Sequence, residues 1–511
     1  MPYRASFGLP SGFRDNPPVD MEIRRSVVAQ MEEVCKLYGF VPLGTPAVQL
    51  AEAIGRFDAQ TDDIPDHDAF SLKDIDEQWL ALRVELTPCL TRSLAENSNT
   101  IRLPLRCYQF GTVWRRRAGK LDRRRALDHF DVDLIGVQSP IGDAELCGLI
   151  CALLENLGFD RSDYHIRVFN RMVVAALLQL VGEKDPMSCW RTDGSVGSIL
   201  AAMDAMHSHG LAEVRKMLVG GLPDSWGNSH WSRRLSETEA DLVIAFLQTA
   251  SVDRAEVVKR LRPLLAASTT GEQGIIELDT MDGCLNAFGL ESGRVIYDPS
   301  FVRGPSFYDG VTLEVVMHHE PATDGAGLMR GKERLRRAVA FGGRYAVQTA
   351  QKGNLSAVGM SVDLDRLMLR IKRSLKDLTS PVVVTMLEPS RMDDYIKIVG
   401  ELRAACVPAE LACVSGRFAR QIQYADRRGA RLAIICGGNE FDAGQVLIRD
   451  LWRGREQSRN IPDRKEWLRQ SRAAQVSVQR QEIVTSVRGM LHHREGDDDG
   501  FARNTPLSPT S

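Results

Sequence analysis

Two strand-like runs separated by a short basic segment constrain the fold more than any other feature of this chain. LRCYQFGTVWR (105–115) and ALDHFDVDLIG (126–136) flank a stretch in which seven of the eleven residues from Arg115 to Arg125 are basic. Two such runs this close in sequence predict antiparallel strands joined by a basic loop. In an extended strand, residues i and i+2 share a face. Leu127, His129, Asp131 and Asp133 therefore lie on one face, and Asp128, Phe130 and Val132 on the other. A nearly neutral chain, with a formal net charge of -2, has gathered cations there and set carboxylates beside them.

The rest of the chain organises around that pair. The helix predicted over MEIRRSVVAQMEEVCKLYGF (21–40) ends at Gly39. FVPLGTPAVQL, AFSLKD and QWLALRVELT read as strands, and TPCLTRSLAENSN as a helix opened by Thr87. DAELCGLICALLENLGF (143–159) is a strongly apolar helix, and residues 180–275 read as a mostly helical insertion. Strand signals return in GRVIYDPSFVRGPSFYDGVTLEVVMHH and LSAVGMSVDLDRLMLRI. From Pro381 strands and helices alternate as in a small separate α/β domain. The polar end, REGDDDGFARNTPLSPTS, has a disordered composition. The expected class is α+β: antiparallel strands flanked by helices, a helical insertion, and a C-terminal α/β domain.

Composition excludes several alternatives. At 511 residues, 43% hydrophobic and 26% charged, usage is that of a globular protein. The ten cysteines form no C-x-x-C pair, which predicts free thiols in a reducing cytoplasm. Neither a secretory signal nor a run of ~18 apolar residues occurs, so no membrane span is expected. MHHE (317–320) lacks H-E-x-x-H spacing and no G-x-x-x-x-G-K-[ST] loop is present, so neither a zinc site nor a P-loop is predicted. With so small a net charge, any polyanion must be met by a local patch.

The chemistry of the faces is suggestive. In LRVELTP an extended backbone would project Glu85 and Thr87 together. A wall bearing Glu85, Thr87 and Asp133 could hold an ammonium group through charge-assisted acceptors. Arginines in the hairpin could hold a carboxylate or phosphates through their planar forks. Together these suit an amino acid plus a nucleotide, although by periodicity alone a solvated sheet face is the commoner explanation.

Ordered motifs from about Leu9 to about Val487 add to this. LPSGFRD, YGFVPLGTP with Pro46, FSLKDIDEQWLALRVELTPCLTRSLAEN, YQFGTVWRRR with HFDVDLIG, DPSFVRGPSFYDGVTLEVV, and FGGRYAV with AVGMSVDLDRL occur in that order. The chain thereby resembles the histidyl-tRNA synthetases of class II, in their alphaproteobacterial form. QIQYADRRGARLAIICGGNEFDAGQVLIRDL is similar to their anticodon-binding domain. The resemblance implies a class II catalytic core over 1–178 and 276–375, a helical insertion over 179–275, an anticodon-binding-like domain over 380–490, and a tail over 491–511. It implies Glu85, Thr87 and Asp133 at the substrate amino group, with His129, Phe307 and Tyr308 also at the substrate. It implies Arg303 and Arg115 as catalytic residues, and Arg115, Arg123, Arg125 and Arg366 as ATP ligands. ATP, Mg²⁺, histidine and tRNA follow as substrates, cofactor and partners, and a cytoplasmic homodimer as the assembly.

The departures bear on specificity. Arg117 stands where the family has an acidic residue, Leu127 where an aromatic stacks on adenine, and His129 where a glutamine reads the substrate. Pro305 and Phe307 replace a leucine and a tyrosine, and Ala346 an aspartate. Three readings stay open: a histidine–tRNA ligase, a paralogue that activates an amino acid for another acceptor, and a non-catalytic regulator resembling the regulatory subunit of ATP phosphoribosyltransferase. The C-terminal domain favours the first.

Overall fold

The computed structural model describes residues 8–54, 69–97, 101–116, 124–137, 140–184, 186, 195–220, 234–302, 307–318, 338–349, 353–371, 380–413, 418–458 and 474–492. The chain forms two compact units, residues 1–372 and 373–511.

The first unit is built on β1 (Val41–Pro42), β5 (Leu105–Trp114), β6 (Ala126–Ile135), β7 (Tyr164–Asn170), β8 (Val295–Tyr297), β9 (Tyr308–Met317), β10 (Ala338–Thr349) and β11 (Gly353–Asp363). They make one sheet in the order β1-β5-β6-β11-β10-β9-β7-β8. The six inner strands are antiparallel, while β1 and β8 pair parallel at the two edges. The predicted antiparallel sheet is thus mixed at its margins. A smaller sheet of β2 (Val48–Leu50), β3 (Ser71–Lys73) and β4 (Trp79–Leu82) has the order β2-β4-β3.

One face of the large sheet is covered by helices. α1 (Pro18–Leu37) starts with a proline in its first turn and Asp20 near the positive end of its dipole, and carries Lys36 in its last turn. Gly39 follows it at φ +75°, a left-handed turn that suits glycine. Its buried residues Val27, Val28, Met31, Val34 and Cys35 meet α3 (Pro140–Asn156) in a core that includes Phe130, Val132 and Leu134 of β6. The alternation read from β6 is therefore real: its even-numbered apolar residues face the helices, and its odd-numbered polar residues face away.

α2 is Thr87–Glu96, and α4 (Arg171–Leu180) follows β7 with Asn170 as its cap. Between β7 and β8 also lie α5 (Ser195–Asp204), α6 (Met206–Gly220), α7 (Glu237–Leu247), α8 (Arg254–Leu264) and α9 (Thr269–Ala287). Ser236, Asp253 and Ser268 cap the last three through side-chain acceptors. Their apolar faces join the same core as β7 and β9. α10 (Leu364–Met368) is capped by Asp363.

The second unit contains β12 (Val382–Val384), α11 (Met392–Ala404), β13 (Ala409–Leu411), α12 (Phe418–Arg427), β14 (Leu432–Ile435), α13 (Gly438–Asp442), β15 (Gln445–Asp450), α14 (Leu451–Ser458), β16 (Gln475–Gln479) and α15 (Ile483–His492). Its sheet runs β13-β12-β14-β15-β16, parallel over the first three strands and antiparallel over the rest. Tyr395, Ile398 and Leu402 of α11 pack into its core. The expected tail begins inside α15 and from residue 493 lies outside the described residues.

Candidate active site

On the face of β6 opposite the helices lies a cavity of about 240 Å³. Its wall includes Glu85, Thr87, Arg115, His129, Phe307, Tyr308 and Arg366, seven of the residues singled out by sequence. They arrive from different elements. Glu85 sits in the irregular link after β4, and Thr87 is the first residue of α2. The two do not share a strand face as expected, because Pro88 favours helix initiation there. The resulting turn still delivers both to the cavity. Arg115 follows β5, where its amide donates to the Arg125 carbonyl at 2.8 Å.

Asp133 is not among the residues of the cavity wall; it is buried, and its carboxylate accepts a hydrogen bond from the Tyr345 hydroxyl at 2.7 Å. Burial raises its pKa to about 7, against the lowering effect of that bond. Gly359 makes the close approach possible, since a Cβ there would overlap Asp133 Oδ1. Arg125 is also directed elsewhere. Its guanidinium lies 4.5 Å from the Phe70 ring centroid and 5.5 Å from that of Phe13. Arg303, Arg123, Arg117 and Pro305 lie outside the described residues. Leu127 joins Leu86 and Val113 in a small apolar cluster, and Ala346 is exposed.

Three polar residues in the wall had not been assigned a role from sequence: Asp131, Ser361 and Asp363. Asp131 shares the alternating face with His129, so the signal for it was present. Ser361 and Asp363 become visible only through register, because β11 places them opposite Asp131 and His129 of β6. Asp363 accepts from the Arg366 amide and forms an ion pair with Arg366 Nε at 3.0 Å. Arg366 also donates to the Ala338 carbonyl at 3.3 Å. Phe307 and Tyr308 form an aromatic side, with ring centroids 4.6 Å apart, and Arg171 donates to the Tyr308 carbonyl at 2.7 Å.

Charge is divided within the cavity. Arg115 and Arg366 supply cations. Burial, followed by the field of Arg115, lowers the His129 pKa to about 3, so the ring is neutral at neutral pH. Burial and then Asp133 raise Asp131 well above the usual carboxylate range. A ligand ammonium placed beside these carboxyls would favour their ionised forms. Guanidinium groups beside an acidic, hydroxyl-bearing wall can hold an anion and an amine side by side. Among the described residues no cluster of three or more His, Cys, Asp or Glu could by itself hold a metal ion.

Residues 12–367 match the family described as Histidyl-tRNA synthetase, and residues 381–488 match the Anticodon binding domain. A histidine–tRNA ligase of Cereibacter sphaeroides is 36% identical over 488 residues, covering 94% of this chain and 97% of that protein. One from Brucella ovis is 35% identical over 499 residues, covering 96% and 97%. In fold, the chain resembles the histidyl-tRNA synthetase crystal structure from Nostoc sp., with a TM-score of 0.72 at 22% identity, covering 95% of this chain and 100% of that one. An ATP phosphoribosyltransferase regulatory subunit/histidyl-tRNA synthetase from Bacillus halodurans has a TM-score of 0.62 at 20% identity, covering 82% and 97%.

Proposed function

The chain belongs to the histidyl-tRNA synthetase family, and on that premise we propose that it acts as a histidine–tRNA ligase, activating histidine with ATP and passing the histidyl group to tRNA. The observation that carries the reading is the cavity shared by Glu85, Thr87 and His129 with Arg115 and Arg366. We assign catalysis to residues 1–178 and 276–375, with 179–275 as a helical insertion, 380–490 as the anticodon-binding part and 491–511 as a tail. The match to the Anticodon binding domain speaks against a purely regulatory role.

In this reading Glu85 and Thr87 receive the amino group of histidine, backed by the buried Asp133. Arg115 contacts the substrate carboxylate and the α-phosphate, and Arg366 the γ-phosphate end. A carboxylate oxygen of histidine attacks the α-phosphorus; the new O–P bond forms as the bond to pyrophosphate breaks. Both reactants are anionic, so positive groups fixed where charge builds up lower the barrier. Arg115 does this, together with Arg303. A ribose hydroxyl of tRNA then attacks the acyl carbon, and AMP leaves. Mg²⁺ would be held through a carboxylate together with the substrate phosphates. Asp363, next to Arg366 in the cavity wall, is the carboxylate suited to it, and the ion would offset phosphate charge. The enzyme is placed in the cytoplasm as a homodimer on family grounds; no described helix is long and apolar enough to cross a membrane.

ATP–pyrophosphate exchange tests the reading. It should require histidine, and Arg115→Ala should lower kcat/KM by roughly 10²–10³-fold. Exchange with a different amino acid and none with histidine would overturn it in favour of a paralogue with another substrate.

A further inference from the structure

The cavity wall holds a hydrogen-bond chain that the roles above leave unused. Ser361 on β11 pairs across from Asp131 on β6, and its hydroxyl donates to Asp131 Oδ1. His129 Nδ1 stands 2.9 Å from the same Ser361 oxygen. Thr87 Oγ1 reaches Asp131 Oδ2 at 3.5 Å. All four residues line the cavity.

A hydroxyl has a single proton to give. Ser361 gives its proton to Asp131, so toward His129 it can only accept. The hydrogen between them therefore belongs to His129 Nδ1. The ring is neutral, because burial and Arg115 hold its pKa at about 3. A neutral imidazole with Nδ1–H has a bare lone pair on Nε2. That Nε2 is buried and has no hydrogen-bond partner among the described residues. A buried acceptor without a partner is costly, and a ligand N–H would satisfy it. The chain does not require Asp131 to be ionised. Although burial and Asp133 raise its carboxyl, a proton on Oδ2, beside the longer Thr87 contact, leaves Oδ1 an acceptor.

We propose that Ser361 and Asp131 are positioning residues that fix His129 as an acceptor through Nε2, and that this acceptor takes an N–H of the bound amino acid. The inference rests on the ligase reading above. Histidine offers two sources of that N–H, its ring and its ammonium group.

The tautomer is read directly on the full-length protein carrying ring-¹⁵N histidine, with His129→Gln used to assign the signal. Nδ1 should be protonated and Nε2 bare at neutral pH, and the Nε2 signal should move when histidine is added. A protonated Nε2, or a bare one that histidine leaves unmoved, overturns the proposal. Kinetics give the second arm. Ser361→Ala should raise KM for histidine about tenfold while kcat changes by less than about twofold, the signature of lost ground-state binding. Ser361→Thr, which keeps the hydroxyl, should recover most of that loss. An unchanged KM in Ser361→Ala, or no recovery in Ser361→Thr, overturns the proposal.

Competition with two analogues separates the sources. Thiazolylalanine lacks the ring N–H, and imidazolepropionate lacks the ammonium group. In His129→Phe, the analogue missing the recognised donor should lose its disadvantage relative to histidine. If both analogues keep their full disadvantage, the proposal fails. Absence of exchange in the unaltered protein would instead count against the ligase reading, and the ring spectra would still decide the tautomer.

Discussion

Gly359→Ala should be among the most damaging single-methyl changes in the first unit. Gly359 on β11 lies directly across from Asp133 on β6. Its new Cβ would overlap Asp133 Oδ1 and stand 2.9 Å from Asp133 Cγ and 3.2 Å from the Val132 carbonyl oxygen. The carbonyl belongs to the sheet backbone and cannot retreat without disturbing the β6–β11 ladder, so the carboxyl must move. Moving it breaks the 2.7 Å bond from Tyr345, between side chains that are 1% and 2% exposed. Each orphaned buried polar group costs about 1–3 kcal/mol. Crowding of a packed interior adds about 1–3 kcal/mol. Allowing for some relaxation, a loss of roughly 3–6 kcal/mol is expected, a large share of the stability of a typical domain. Equilibrium urea unfolding of the full chain, followed through the first unit, measures it. Tyr345→Phe is the control: it removes the bond without adding volume and should cost about 1–3 kcal/mol. A Gly359→Ala protein as stable as the unaltered one, or less impaired than Tyr345→Phe, would refute the argument.

Asp133 titrates near 7 when folded, against a usual 3.8, so the folded state holds its proton more tightly than the unfolded one. Its contribution to stability therefore falls as pH rises from about 4 to about 7 and is level above that; the stability difference between the unaltered protein and Asp133→Asn, from urea titrations across this range, should follow that slope. Arg254 is fully buried between Asp282, Asn286 and the carbonyls of Val295 and Leu290. Arg254→Ala should cost about 3–5 kcal/mol by thermal unfolding, because it leaves those acceptors without their shared donor. Arg125 and Arg115 should separate cleanly in exchange assays. Arg125→Ala, which loses contacts with Phe13 and Phe70, should cost about 0.5–2 kcal/mol of stability with little change in KM for ATP, whereas Arg115→Ala should chiefly lose turnover.

How much of this was legible in the chain depended on whether the signal was local. The alternation along ALDHFDVDLIG is local, and it correctly separated Phe130 and Val132 on the helix-covered face from His129 and Asp131 at the cavity. The link from Arg83 to Thr87 is local too, and its residues have strand character, but the helix that opens at Thr87, with Pro88 in its first turn, prevails. Register is not local. Nothing in AVGMSVDLDRL says that Ser361 will stand opposite Asp131, since β10 and β11 could pair with β6 in several ways. Arg125 shows the same limit. A cluster of arginines identifies a basic segment, but only the positions of Phe13 and Phe70 decide that one of them packs on aromatic rings.

The pairing of β6 with β11 also has a consequence for when the pocket can exist. Asp131 and Ser361 are 230 residues apart, yet they share one hydrogen bond. As the chain leaves the ribosome, the hairpin of β5 and β6 is made early, and β6 then waits with an open margin until β11, the last strand of its sheet, arrives. During that interval its buried carboxyls are wet and its backbone is available to any other strand. Synthesis halted before residue 361 would therefore yield not a weaker enzyme but a nascent chain prone to join the wrong neighbour.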